Sequence, residues 1–339
     1  MICLGIESTA HTFGASVSEL TSEPVSFRII SDCKDVYKAP QGAGIHPREA
    51  SRHHEETCSG VVENALASAK TGMNEIDFIA YSAGPGLGPC LRVGAVVARS
   101  LASYFCKQIV PVNHAIGHIE LGKLLLGLDD PLVLLISGGH TVITARSAEG
   151  WRIFGETLDL TVGQLLDQLG RHFGMSSPAG PKIEALASQL NGQADVVGML
   201  PYTIKGNDVS YSGLLSSSKD AFSKGISQES VCFSVQEVAF ALLTEATERA
   251  LAFTDKAELL VTGGVAANQR LSGMLKDMCG SRGVKLGVIP RQYSGDCGSQ
   301  IAAAGFLFYN DGQSVPVNKA FTRQSWRIDR VNLPRSKFG

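Results

Sequence analysis

Asn113-His114-Ala115-Ile116-Gly117-His118 places two imidazoles at i and i+4, on one face of a helix and about 6 Å apart. Such a pair can ligate a metal ion if a third or fourth donor comes from elsewhere in the chain. On spacing alone, a metal site and two plain helical histidines are equal readings. A metallopeptidase helix of the H-E-x-x-H type would carry its general base directly after the first histidine, where this chain has Ala115. A candidate third ligand is Asp296, in Tyr293-Ser294-Gly295-Asp296-Cys297-Gly298, a loop ahead of a helical pattern. A His-His-Asp set without cysteine suits Fe(II) or Zn(II). His46, His53 and His54 form a second group, but adjacent His53 and His54 diverge around a helix and chelate poorly. That region reads as part of a substrate surface.

Glycine pairs follow two apolar runs, and these could meet phosphate. Ser137-Gly138-Gly139-His140-Thr141 joins two strand patterns, and Thr262-Gly263-Gly264-Val265 lies between a strand and a helix near Asn268. Glycine lets backbone N–H groups approach an anion closely, and a helix N-terminus adds a favourable dipole. Taken singly each loop is only a turn; as a pair at equivalent places they point to phosphate. No Walker loop or dinucleotide fingerprint occurs. Asp167 could accept from a ribose hydroxyl or be a plain surface charge, and Glu184 could simply complement a helix dipole.

These residues need elements to hold them, and the same order of elements occurs twice. Residues 2–7, 12–17 and 26–30 read as three strands, followed by a helix over 47–69, a strand at 77–82, a helix at 90–104 and a strand at 108–112. Residues 132–136, 142–145 and 151–155 begin a second set. It continues with helices near 161–173, 182–190, 213–223 and 228–253, a strand at 259–262, a helix at 267–279 and a strand at 285–289. This predicts an α/β protein of the duplicated actin-like ATPase (sugar-kinase, heat-shock ATPase) kind, with two lobes and a cleft between them. The helix at 113–126 and the turn at 127–131 make the crossover. The lobes are expected at 1–127 and 128–297, with a helix at 298–310 returning to the first, and 311–339 as a basic C-terminal tail.

The 339 residues carry 30 Lys+Arg against 32 Asp+Glu, 44% hydrophobic residues and only 18% charged ones, which excludes wholesale disorder and a generally basic nucleic-acid coat. A local basic patch remains: Lys319, Arg323, Arg327, Arg330, Arg335 and Lys337 against Asp329, with Phe321, Trp326 and Phe338 interleaved, suits RNA backbone contact and base stacking. The eight cysteines contain no C-x-x-C pair, which argues against a zinc ribbon and fits a reducing cytoplasm. No signal peptide or membrane span is expected, so the reading is a soluble cytoplasmic protein.

The chain resembles the universal tRNA threonylcarbamoyl transferase family, in its archaeal and eukaryotic branch, the catalytic subunit of the KEOPS complex. The resemblance rests on GIESTAHTFG (5–14), GIHPREASRHH (44–54), SAGPGLGPCLRVG (82–94), NHAIGHIE (113–120), ISGGHT (136–141), KGNDVSYSGLL (205–215), VTGGVAANQRL (261–271) and GDCGSQIA (295–302), in order over nearly the whole chain. It implies transfer of threonylcarbamoyl from threonylcarbamoyl-adenylate to N6 of adenosine 37 in tRNAs reading codons that begin with A. It implies a metal, iron or zinc, on His114, His118 and Asp296, the catalytic centre. It places the nucleotide (ATP, AMP or the adenylate) against Leu135, Ile136, Ser137, Gly138, Gly139, Asp167, Gly180, Glu184, Gly263, Gly264 and Asn268. The implied partners are tRNA and other KEOPS subunits, including a small protein kinase/ATPase, with no membrane and no DNA.

Several positions depart from the branch pattern: Leu135 where tyrosine is frequent, His140 for asparagine, Gln168 after Asp167, Ala179 before Gly180, and Cys297 after Asp296. Two other functions fit parts of the pattern: an ATP-binding regulatory subunit of a kinase-containing complex, and a metallopeptidase.

Overall fold

The computed structural model describes residues 1–22, 25–40, 42–190 and 197–332. In chain order the first half comprises β1 (Ile2–Glu7), β2 (Thr12–Ser22), β3 (Val25–Val36), α1 (Pro47–Ala69), β4 (Phe78–Gly84), α2 (Gly88–Tyr104), β5 (Gln108–Asn113) and α3 (His114–Leu126). The second comprises β6 (Leu132–Ile136), β7 (Thr141–Ser147), β8 (Gly150–Glu156), α4 (Val162–His172), α5 (Gly180–Ala187), β9 (Ile204–Lys205), β10 (Asp208–Val209), α6 (Ser212–Ser223) and α7 (Gln228–Thr254). It continues with β11 (Glu258–Thr262), α8 (Gln269–Arg282), β12 (Lys285–Val288), α9 (Arg291–Ser294) and α10 (Gly298–Asn310).

The duplication is visible in the sheets. One runs β3-β2-β1-β4-β5 and the other β12-β11-β6-β7-β8, so each has an antiparallel three-strand meander extended by two parallel strands. This is the α/β architecture of actin-like ATPases. Strands β4 and β6 are buried along their whole length, which explains why FIAYSAG and LVLLI lack polar alternation. The outer face of the first sheet packs on α1 and α2 through Leu4, Ile6, Phe13 and Tyr81. That of the second packs on α4 to α8 through Leu134, Ile136, Phe240 and Leu243.

Between the sheets lie α3 and α10, packed on each other. Both are buried nearly all round, from His114 to Gly122 and from Gly298 to Phe308, as expected of helices that are apolar on every side. Helix α10 touches the first sheet backbone to backbone: a Cβ on Gly298 would lie 2.5 Å from Ser16 N, and one on Gly5 would lie 2.3 Å from Gly298 O. Any side chain there would push the helix off the sheet.

The long helices fall where periodicity places them. Strands β2 and β3 run past the expected ends at 17 and 30, forming an extended hairpin whose polar outer residues hide its length. The small β9–β10 hairpin has no pattern to announce it. Residues 311–332, expected as a tail, are instead packed against the protein: Val315 N donates to Ile109 O, Arg323 N to Ala83 O, and Ile328 and Val331 are buried. Arg335, Lys337 and Phe338 lie outside the described residues.

Candidate metal centre and nucleotide cleft

Asn113 ends β5 and caps α3: its side chain accepts from Ala115 N and Ile116 N, an arrangement worth about 1 kcal/mol. The cap fixes His114 at the first turn and His118 one turn on, with ring centroids 4.8 Å apart. Asp296 arrives from the α9–α10 loop. Its Oδ1 lies 3.5 Å from His114 Nε2 and 3.4 Å from His118 Nε2. Four-coordinate ligands at about 2.1 Å from a metal stand about 3.4 Å from each other, so these separations are those of a shared ion. Both ring nitrogens of His118 are buried without a hydrogen-bond partner, an expensive state that a cation between the three groups would relieve. The residues present therefore fit a divalent metal, and they are the one His/Asp group of three with metal-ligand spacing among the described residues.

The resting electrostatics follow from burial. Burial pushes His114 down, but Glu7 and Asp296 outweigh it and raise the imidazole to about 9. For His118, burial wins and lowers it. Burial also opposes ionisation of Asp296, yet the two imidazoles hold its carboxyl far below the usual range.

Sequence reading missed the groups that orient these ligands. Glu7, at the end of β1 and fully buried, accepts from His114 Nδ1 at 2.9 Å and from Thr9 N at 2.5 Å. That fixes a proton on Nδ1 and directs Nε2 toward Asp296. Thr9 Oγ1 lies 3.2 Å from the same nitrogen, and Gln300 Nε2 donates to Glu7 at 3.5 Å. A carboxylate ending an apolar strand was the available signal. His140 also packs on His114, ring centroids 5.9 Å apart, and burial drives it down to about 3. His54 is not on a surface: it is buried against Phe13 and donates from Nε2 to Ala10 O, while His53 pairs with Asp35.

The glycine loops border the same region. Leu135 and Ile136 end β6, and Ser137 closes the hairpin by accepting at Oγ from Gly139 N and His140 N. A Cβ on Gly138 or Gly139 would meet nothing within 4 Å, so one side of this turn is bare backbone. The Thr161 cap of α4 donates to Gly138 O and locks the turn against the helix. Gly263 has φ +96, and a Cβ there would lie 2.3 Å from Ile136 O, so the second glycine loop abuts the first; Gly264 beside it faces open space. Of the other nucleotide candidates, Asp167 accepts from Ser177 Oγ and Ala179 N, which holds Gly180 at the start of α5. Glu184 accepts from Gln269 N, and Asn268 caps α8 while donating to Gln236. These three side chains brace the cleft wall, and none of them stands free.

The sequence matches the tRNA N6-adenosine threonylcarbamoyltransferase profile over residues 28–303. The chain belongs to that family. It is 45% identical over 333 residues to the tRNA N6-adenosine threonylcarbamoyltransferase of Archaeoglobus fulgidus, covering 98% of this chain and 99% of that protein. It is 44% identical to a probable bifunctional tRNA threonylcarbamoyladenosine biosynthesis protein of Methanocaldococcus jannaschii, spanning 60% of its length. Among solved structures, HypF of T. kodakarensis superposes with a TM-score of 0.61 at 14% identity, over 92% of this chain and 48% of that one. That likeness shows the fold. As a family member this protein is a transferase, and its Ala115 leaves no carboxylate in the peptidase position, since nearby Glu7 is committed to His114 Nδ1.

Proposed function

We propose that this protein moves the threonylcarbamoyl group of threonylcarbamoyl-adenylate onto N6 of adenosine 37 in tRNAs that read codons beginning with A, releasing AMP. The observation that carries the reading is the meeting of His114, His118 and Asp296 at 3.4–3.5 Å beside two abutting glycine turns. Residues 1–127 with 298–310 form one lobe and 128–297 the other, with the donor between them. His114, His118 and Asp296 hold Fe(II) or Zn(II), which when bound supplies positive charge beside the carbonyl under attack.

The remaining work belongs to the chain's own groups. Glu7 keeps the His114 proton on Nδ1. The open Ser137-Gly138-Gly139 and Gly263-Gly264 turns, at the ends of β6 and β11 beyond Leu135 and Ile136, face the adenylate phosphate. Gly180 leaves room for the nucleoside, and Asp167, Glu184 and Asn268 keep the α5 and α8 walls in place around it. The partners are tRNA and KEOPS-type subunits, including a small kinase; the longer M. jannaschii relative is consistent with such an assembly. The setting is cytoplasmic; among the described residues no helix is long and apolar enough to cross a membrane.

The test is transfer of labelled threonylcarbamoyl from its adenylate to tRNA by the assembled complex, with His114→Ala and Asp296→Ala as controls. Transfer by the wild type and its loss in both variants is expected. A wild type that binds nucleotide but transfers nothing would leave a regulatory subunit.

A further inference from the structure

A cavity of about 250 Å³ lies along the Ser137–His140 hairpin, with Gly139, His140 and Thr161 among its lining residues. Its walls come from three parts of the chain: Pro85 and Ala115 from the first half, Leu135 and Ile153 from the second, and Trp326 and Ile328 from the packed C-terminal segment. It adjoins the metal triad at two points. Ala115 sits between His114 and His118 in sequence, and His140, which also lines the cavity, packs on His114.

The C-terminal segment is fastened where it forms this wall. Asn113 Nδ2, on the residue that caps α3, donates to Trp326 O at 2.9 Å. Gly84, with φ +151, accepts the segment so closely that a Cβ would lie 1.9 Å from Arg323 O. Trp326 is therefore a built wall, held to the helix that carries both metal histidines.

The chemistry of the cavity selects among the reactants. Most of its wall is apolar. Its arginine, Arg327, is neutralised from both sides by Glu156 at 3.2 Å and Asp329 at 3.3 Å. An anionic occupant, such as the donor's phosphate or threonyl carboxylate, finds no uncompensated cation there. A neutral, flat one finds an aromatic wall. Outside, charge reverses: Arg323 lies over the Trp326 ring at 4.6 Å, and both it and Arg330 are exposed, placed for phosphates flanking an extruded nucleotide.

Resting on the transferase reading above, we propose that this cavity seats the acceptor adenine of the tRNA, unstacked from its loop, with Trp326 as the residue it packs against. Bases in single-stranded loops are recognised in this way, by stacking on aromatic side chains with edge hydrogen bonds. Trp326 is a positioning and specificity residue for the acceptor.

Intrinsic tryptophan emission and steady-state kinetics test this in the metal-loaded complex. An anticodon stem-loop bearing the acceptor adenosine should change the emission. The same stem-loop, abasic at that position, should not, and the change should vanish in Trp326→Phe. Trp326→Ala should raise KM for tRNA about tenfold or more, as loss of one base–aromatic stack does. KM for the donor should stay within about twofold, and Trp326→Phe should restore most of the loss. With transfer intact, an emission that ignores the acceptor base, or an unaltered tRNA KM in Trp326→Ala, overturns the pocket and leaves the transferase. Absence of any transfer by the wild type overturns both.

Discussion

The two halves of the molecule share a strand plan but spend their first hairpin differently. In the first sheet, the turn after β1 is crowded with side chains: Glu7 and Thr9 reach His114, and Ala10 O is held by His54. In the second, the turn after β6 is Ser137-Gly138-Gly139, with open space where side chains would be. In the proposed function, one duplicated turn steadies a cation through carboxylate and imidazole, and the other faces an anion. After duplication, the strands only fix where a turn sits; the turn's side chains decide the sign of charge it receives.

Four experiments break or sharpen that contrast. Asp296→Ala, or chelation of the wild type, should cut single-turnover transfer by about 100-fold or more, the scale of lost charge stabilisation at a metal site. Nucleotide affinity should hold, because the anion turn is untouched; a parallel loss of both would merge the two sites. Glu7→Gln should come next. It keeps the shape but loses the charge that orients His114, and metal affinity in a competition titration should fall about 10- to 100-fold. An unchanged affinity would reduce the first turn to packing.

Gly138→Val is the converse probe. A branched side chain on the open face should weaken calorimetric nucleotide binding about tenfold, near 1.4 kcal/mol, while bound metal stays stoichiometric. The smallest effect concerns acid. Burial lowers His54 to about 4 in the folded state, against about 6.5 when unfolded. The unfolded chain therefore takes up a proton first, and stability should fall as pH drops from about 6.5 toward 4. His54→Phe should flatten that part of a Tm-against-pH curve by one proton, and an unaltered slope would place the acid sensitivity elsewhere.

Much of this was legible in the sequence because it is local. The His114–His118 spacing, the glycine pairs at strand ends and the repeated order of elements are all properties of short stretches, and periodicity marks them. Glu7, Thr9 and Gln300 were not legible as site residues, because each meets its partner across the fold. Glu7 and His114 are separated by more than a hundred residues, and no spacing rule spans that distance. Asp167, Glu184 and Asn268, suggested by family position as ligands, also make hydrogen bonds that brace α5 and α8, which no spacing announces. The C-terminal segment misled through composition. Its arginines suggested a basic tail, but Ile328 and Val331 are anchored in the core between the sheets.

The backbone contact between Gly5 and Gly298 has a mechanical consequence. Asp296 leaves the second sheet's chain only two residues before α10 is clamped onto the first, and α10 packs on α3, which carries both histidines. If the crevice opens to discharge spent nucleotide, that α3–α10 packing is what keeps the coordination geometry together. Reloading would then be a question of hinge motion, with the ion carried from one turnover to the next.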